Sequence, residues 1–355
     1  MNRVDKLREY MREKEIDLAI IESEVNRFYF TEVRCNMGTL LITEKEALLI
    51  LDPRFSESAK KVAINCEVVE SKDRDIFLYE FMRKNKGKRV ATEEEYITAK
   101  RRNELNTITE YGVIDSLSLD NKIKQMRRRK DSKEVEYLRK AQSIADETFL
   151  HMLEFIEPGR TENDLKMELG ITMVKLGSEN YSMNFLVAAG ENSGFPHGGI
   201  KNRRIEKGDF VTMDFGGCIH GYSSDMTRTV AVGELTEEKK QVYQVVKEAQ
   251  EKAMRKLAPN VPCVMIDSIA RDVIGSYGYQ DYFGHGLGHS LGLEIHENPR
   301  CNETSKDKLE PYDIMTIEPG IYLPNRFGVR IEDMVVITED GYENLTKSER
   351  DLIIL

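Results

Sequence analysis

Apolar positions in the first third of the chain fall into short, alternating periods. In VDKLREYMREK (residues 4–14) Val4, Leu7 and Met11 share one helical face, which predicts an amphipathic helix. DLAIIES then reads as a buried strand, and TLLITEKEALLIL as two strands around the polar turn Thr43–Glu46. CEVVE and RVATEE predict further strands between helices at about 74–86 and 98–107. This alternation predicts a small α/β domain. No glycine-rich loop follows any of its strands, so a nucleotide site is not expected there.

The pattern changes over residues 117–134, LSLDNKIKQMRRRKDSKE, where apolar residues thin out and charge accumulates. A boundary placed there gives one domain over 1–122 and a second over 123–355. Asp131 or Ser132 caps a long helix running to about Phe155, with Glu134 and Glu136 in its first turn. Pro158-Gly159 stops it, and Thr161 starts another. Beyond these, DFVTMDFGG, TRTVAVGEL, DIMTIEPGIYL and EDMVVIT predict strands, with helices at about 236–257 and 264–275. Strands dominate the centre, so the second domain belongs to the α+β class.

Length and charge narrow the function classes. At 355 residues the chain exceeds what one core usually supports, in keeping with two domains. A net charge of −10 argues against a nucleic-acid partner, and the basic run Lys124–Lys130 reads as a solvated connector rather than a polyanion patch. The N-terminus is charged from its start, and no apolar run of about 18 residues occurs, so neither a signal peptide nor a membrane span is expected. Cys35, Cys66, Cys218, Cys263 and Cys301 are scattered and never form a CxxC pair, so they read as reduced thiols of a cytoplasmic protein.

Three of the six histidines, His285, His289 and His296, crowd into GHGLGHSLGLEIHENPR at 284–300. The i, i+4 spacing of the first two suggests a helical metal pair. Gly284, Gly286, Gly288 and Gly292 run through the stretch and disfavour a helix. Four carboxylates stand in or beside apolar strand runs: Asp214 and Asp225, eleven residues apart, and Glu318 and Glu332, fourteen apart. A buried carboxylate is costly unless neutralised, and each alone reads as a salt bridge or a cap. Taken with the histidines, they read as ligands of a pair of divalent cations. Four carboxylates and an imidazole suit Mn²⁺, Co²⁺, Zn²⁺ or Fe²⁺. Two carboxylates can bridge ions ~3.5–4 Å apart around an activated water, which predicts a hydrolase. A structural zinc site would be rich in cysteine, and calcium is poorly served by imidazole.

Six blocks then carry a resemblance: PHGG at 196–199, EKGDFVTMDFGG at 206–217, YSSDMTRTV at 222–230, GHGLGHSLGLEIHE at 284–297, TIEPGIY at 316–322 and VRIEDMVVI at 329–337. In order and spacing they resemble the pita-bread metallopeptidases, which include Xaa-Pro dipeptidase, aminopeptidase P and methionine aminopeptidase. The resemblance implies a creatinase-like N-terminal α/β domain followed by a pita-bread catalytic domain. It implies Asp214, Asp225, His289, Glu318 and Glu332 as metal ligands, with Asp225 and Glu332 bridging two ions, manganese or cobalt. Glu318 is also the implied general base. His197 and His296 are implied donors to the scissile carbonyl, and His285 a wall of the proline pocket, with a brace for the glycine loop as its open alternative. Arg330 would orient Glu332 from behind. His151 and His220 match no block and are expected at the surface.

The implied substrates are di- or oligopeptides with proline, whose Xaa-Pro bond is a tertiary amide without an N–H. The N-terminal domain argues against methionine aminopeptidase, and the intact ligand set against creatinase and against a non-catalytic binding module. Arg300 would anchor the free carboxylate of a dipeptide, which favours Xaa-Pro dipeptidase over an aminopeptidase P type acting on longer chains. Arg300 as a plain surface arginine stays open beside it. A homodimer is the implied assembly.

Overall fold

The computed structural model describes residues 1–84, 89–109, 117–179, 185–199 and 202–355. Contacts divide the chain into two units, Met1–Arg127 and Arg128–Leu355.

The first unit is a mixed five-stranded sheet with helices. Its strands are β1 (Leu18–Ile21), β2 (Thr39–Ile42), β3 (Ala47–Leu51), β4 (Glu67–Glu70) and β5 (Val90–Thr92), ordered β4-β3-β2-β1-β5. The Thr43–Glu46 turn closes the antiparallel β2–β3 hairpin, with Ile42 opposite Ala47. The helices are α1 (Arg3–Glu13), α2 (Glu24–Thr31), α3 (Pro53–Ala59), α4 (Arg74–Lys84), α5 (Ala99–Thr109) and α6 (Leu117–Arg128). α1 buries Val4, Leu7 and Met11, the face its spacing predicted. The last residues of the expected 74–86 helix lie outside the described residues. α2 escapes a periodicity reading because Arg27, Phe28, Tyr29, Phe30 and Thr31 are all buried, leaving no polar face.

One sequence expectation fails in part in the basic segment. α6 occupies most of the polar run after residue 117. Within the basic run Lys124 and Arg129 are exposed as expected, but Arg127 is 6% and Lys130 2% exposed. Arg128 forms an ion pair with Asp313 at 2.8 Å, and Lys130 one with Glu297 at 3.0 Å. Partners far along the chain neutralise these cations, and a local charge pattern cannot show them.

The second unit contains β6 (Leu186–Ala189), β7 (Phe210–Phe215), β8 (Cys218–Ile219), β9 (Tyr222–Ser223), β10 (Met226–Ala231), β11 (Gly288–Ser290), β12 (Glu297–Cys301), β13 (Ile314–Ile317), β14 (Gly320–Leu323), β15 (Phe327–Arg330), β16 (Asp333–Ile337) and β17 (Tyr342–Asn344). Its helices are α7 (Ser132–Phe155), α8 (Glu162–Lys175), α9 (Glu237–Met254) and α10 (Cys263–Ser276). Asp131 caps α7 in a capping box with Glu134, and Thr161 caps α8 in one with Asp164. Among the described residues no helix is long and apolar enough to cross a membrane.

Strand alternation explains how apolar strands carry polar chemistry. In β7, Val211, Met213 and Phe215 pack with Ala145, Phe149 and Met152 of α7 and Leu165 and Leu169 of α8. Each of these side chains larger than alanine, fully buried, contributes on the order of 1.5–3 kcal/mol. Thr212 and Asp214 take the other face, and register sets them opposite Thr229 and Thr227 of β10. The two threonine hydroxyls at 212 and 229 bond each other at 2.9 Å. A second core joins α9 and α10 to Ile317, Ile321, Val329 and Val335. DIMTIEPGIYL, expected as one strand, breaks into β13 and β14 at Glu318-Pro319. Pro319 has no N–H to give a ladder, and the Glu318 N–H turns instead to Leu287 O at 2.8 Å.

Candidate metal centre

The four carboxylates and His289 come from five separate segments that the second unit's strands bring together. Asp214 lies on β7, and Asp225 immediately precedes β10. Glu332 sits between β15 and β16, with its N–H on Thr227 O at 3.0 Å. Glu318 follows β13, and His289 is the middle residue of β11, opposite Arg300 of β12. The glycine-rich stretch is therefore strand and loop, not helix. Gly288 is required by close approach: a Cβ there would stand 1.9 Å from Thr316 O. That contact lets the His289 N–H bond Thr316 Oγ1 at 3.0 Å, and the same hydroxyl donates to Glu318 Oε1 at 3.2 Å.

One ligand atom each from Asp225, His289 and Glu332 lies within 4.8 Å of the others. His289 Nδ1 donates to Ser290 O at 3.1 Å, which leaves Nε2 as a bare lone pair. Nε2 faces Glu318 Oε1 at 3.4 Å and Asp225 Oδ2 at 3.8 Å. Acceptors facing one another at these distances need a proton or a cation between them. Glu332 is 1% exposed, and its Oε2 accepts from Thr227 Oγ1 at 2.6 Å. Its buried Oε1 has no hydrogen-bond partner among the described residues.

Electrostatics point the same way. Burial, then the charges of Asp214 and Glu318, push the Asp225 carboxyl far above the usual range. Glu332 is pushed well up by burial and by Asp225, Glu318 and Asp214. Burial lifts Glu318 to about 8, Asp214 adding to it while Arg330 opposes. Burial also lowers His289 to about 4, so its imidazole is neutral and free to ligate near neutral pH. Crowded, under-neutralised carboxylates beside a neutral imidazole fit hard-to-borderline divalent cations.

The substrate-side expectations fall around this cluster. All ten residues singled out from the sequence line one cleft of about 600 Å³: His197, Asp214, Asp225, His285, His289, His296, Arg300, Glu318, Arg330 and Glu332. His197, His296 and Arg300 are exposed within it. The His296 ring centroid stands 4.5 Å from that of His289, edge to face. Both ring nitrogens of His285 are engaged. Its Nδ1 donates to Gly286 O at 2.8 Å and its Nε2 accepts from the Tyr322 hydroxyl at 2.9 Å. Burial brings its pKa down to about 4.

Arg330 corrects one expectation. It holds Asp214 Oδ2 at 2.6 Å, and among the described residues its hydrogen bonding reaches Glu332 through Thr227 Oγ1, which it bonds at 3.0 Å. A two-residue offset along a strand places both side chains on one face, and sequence could not show that a different strand interposes Thr227. Arg330 also donates to Tyr322 Oη at 2.9 Å. Tyr322, Thr227 and Thr316 were missed, although all three lie in quoted blocks. A hydroxyl gives no sequence signal of the carboxylate it will meet. Of the remaining histidines, His151 is exposed and bonds Glu168. His220, expected at the surface, is half-buried with its ring 4.6 Å from that of Tyr137.

Comparison with known proteins agrees with this geometry. The family model described as metallopeptidase family M24 matches residues 136–339, and that of the creatinase/prolidase N-terminal domain matches residues 3–128. The chain is 36% identical over 351 residues to a Xaa-Pro dipeptidase of Pyrococcus furiosus, covering 99% of each. It is 37% identical to an uncharacterised peptidase of Bacillus subtilis, covering 99% of this chain and all of that one (100%). Among solved structures, a Xaa-Pro dipeptidase from Bacillus anthracis superposes with a TM-score of 0.93 at 36% identity, covering 99% of both chains. An X-Pro aminopeptidase from Thermotoga maritima gives 0.92 at 34% identity, covering 100% of both.

Proposed function

The chain belongs to metallopeptidase family M24, and we propose that it cleaves the Xaa-Pro bond of short peptides as an Xaa-Pro dipeptidase. The observation that carries the reading is the bare His289 Nε2 facing Glu318 and Asp225, inside a cleft whose rim bears His197, His296 and Arg300.

Asp214, Asp225, His289, Glu318 and Glu332 would hold two divalent cations. When bound, such cations supply Lewis acidity, which makes water acidic and polarises the scissile carbonyl. The remaining work belongs to the chain's own side chains. Glu318 takes the proton of the attacking water and delivers it to the proline nitrogen as the bond breaks. Kept ionised beside the cations, that carboxylate is in the form a general base needs. His197 and His296 donate to the carbonyl oxygen as charge develops there. His285, neutral and fixed by Tyr322, forms a rigid wall for the proline ring. Arg330 keeps Asp214 in place.

A dipeptide presents a carboxylate directly after proline, and the exposed guanidinium of Arg300 in the cleft suits that group. An aminopeptidase of longer substrates is the second reading, favoured by the Thermotoga maritima structure, which is nearly as similar. Rates on Xaa-Pro and Xaa-Pro-Yaa, in wild type and Arg300→Ala, decide between them. A dipeptidase loses Xaa-Pro cleavage selectively in the variant; equal effects on both substrates, or none, remove Arg300 as the anchor. We infer also that the metal is manganese, that the enzyme is a cytoplasmic homodimer, and that its five cysteines stay reduced there. Metal analysis of protein purified without added metal tests the first of these.

A further inference from the structure

We propose that Asp267 and Arg271 of α10 form a positioning pair that fixes the His285 loop against the cleft and thereby sets how tightly the proline end of the substrate is held. The inference rests on the reading above that His285 faces the substrate.

The two side chains lie one helical turn apart and form an ion pair, Arg271 Nε to Asp267 Oδ2, at 2.6 Å. Asp267 is 1% exposed. Arg271 Nη1 donates to Phe283 O at 2.9 Å, and Nη2 donates to His285 O. The guanidinium also lies 4.4 Å from the centroid of the Phe283 ring. Asp267 Oδ1 accepts the Leu287 N–H at 2.9 Å. One carboxylate–guanidinium pair thus holds backbone groups of residues 283, 285 and 287.

The loop needs such an external hold. Residues 283–287 belong to no strand or helix, and Gly284 and Gly286 give the backbone wide freedom. An arginine suits the task because its planar fork serves two carbonyls and a carboxylate at once, which a lysine cannot do. Downstream, Leu287 O accepts the Glu318 N–H at 2.8 Å, so the held loop also abuts the segment of the proposed base. His289 is anchored separately, by Thr316 and Ser290. Loss of the pair should therefore disturb substrate binding before metal binding.

The test uses the full-length, metal-loaded protein with Arg271→Ala, Asp267→Asn and the conservative Arg271→Lys. Amide exchange in a peptide spanning 283–287 should quicken about tenfold or more in Arg271→Ala. KM for Xaa-Pro should rise about tenfold with kcat changed less than about threefold, and Arg271→Lys should recover part of the loss. Affinity for Mn²⁺, read by competition with a chromogenic chelator, should stay within about twofold. Unchanged exchange overturns the proposal, as does faster exchange with a wild-type KM, or a loss that follows metal affinity instead. If Arg271→Ala does not fold, Arg271→Lys and Asp267→Asn carry the same comparison. A wild type that hydrolyses no Xaa-Pro peptide counts against the proposed function alone. Exchange and calorimetric binding of an Xaa-Pro dipeptide would still decide the pair's role.

Discussion

His289 points an unprotonated Nε2 at Glu318 Oε1 across 3.4 Å, with its other nitrogen already committed to Ser290 O. In the metal-free protein a proton on Glu318, whose pKa is pushed up to about 8, relieves that contact. Asp225 and Glu332 are raised in the same way. A divalent cation must displace these protons to bind. Calorimetric titration of metal-free protein with Mn²⁺ at pH 7, in buffers of different ionisation enthalpy, should show release of about one proton or more. Heats independent of the buffer would contradict it.

The same shifts set a pH dependence of stability without metal. A carboxyl raised from 4.5 to about 8 stabilises the fold fully below its unfolded value, and this is lost as pH rises through the folded value. His285 and His289 are lowered from 6.5 to about 4 and act in the opposite sense, losing their contribution as pH falls below 6.5. Between 6.5 and 8 the carboxyl effect is therefore unopposed by these histidines. The melting temperature of metal-free protein should fall as pH rises across that window, more shallowly in Glu318→Gln. A slope that Glu318→Gln leaves unchanged would show that Glu318 does not titrate in that window.

Arg330 is 4% exposed and donates to Asp214, Thr227, Tyr322 and the Pro196 carbonyl. Lysine keeps the charge but reaches one or two of these, leaving buried acceptors unpaired at about 1–3 kcal/mol each. Arg330→Lys should therefore lower kcat/KM about a hundredfold while the protein still folds. Steady-state kinetics beside a thermal melt separate the two effects. Wild-type kinetics in the variant would reduce Arg330 to a structural cation.

The sequence showed the candidate ligands better than their supports, for a physical reason. Asp214, Asp225, Glu318 and Glu332 stood out because a carboxylate inside an apolar strand is anomalous wherever the strand runs. Tyr322 and Thr227 are ordinary strand residues, and only the pairing of β14 with β15 and of β10 with Glu332 reveals their partners. Helices with one apolar face, such as α1 and α7, were legible. α2, buried all round, was not. Lys130 failed for the converse reason: a basic run has the same composition whether water or Glu297 neutralises it.

Gly288 offers a test of close approach. Any Cβ there meets Thr316 O at 1.9 Å, a backbone atom that cannot swing aside. Gly288→Ala should push β11 from β13, costing more than about 3 kcal/mol. It should also weaken Mn²⁺ binding, since His289 is the next residue. Denaturant unfolding and metal titration read the two losses. Near-wild-type values would mean that the two strands separate without harm.

Lys130 and Glu297 form an ion pair with side chains only 1% and 7% exposed, and Lys130 Nζ also lies 3.5 Å from Ser290 Oγ. Ser290 follows His289, and Glu297 follows His296, so one cation ties both ends of the 290–297 hairpin. Removing one partner leaves a buried charge uncompensated, whereas replacing both with apolar residues of similar volume is often close to neutral. Lys130→Met should thus cost about 3–5 kcal/mol of unfolding free energy, and Lys130→Met with Glu297→Leu should restore most of it. The hairpin then keeps its stability but loses its electrostatic tie. If that tie sets register, the double variant melts near wild type yet hydrolyses Xaa-Pro more slowly, because His296 no longer stands edge to face with His289. Full activity in the stable double variant would assign the pair to stability alone.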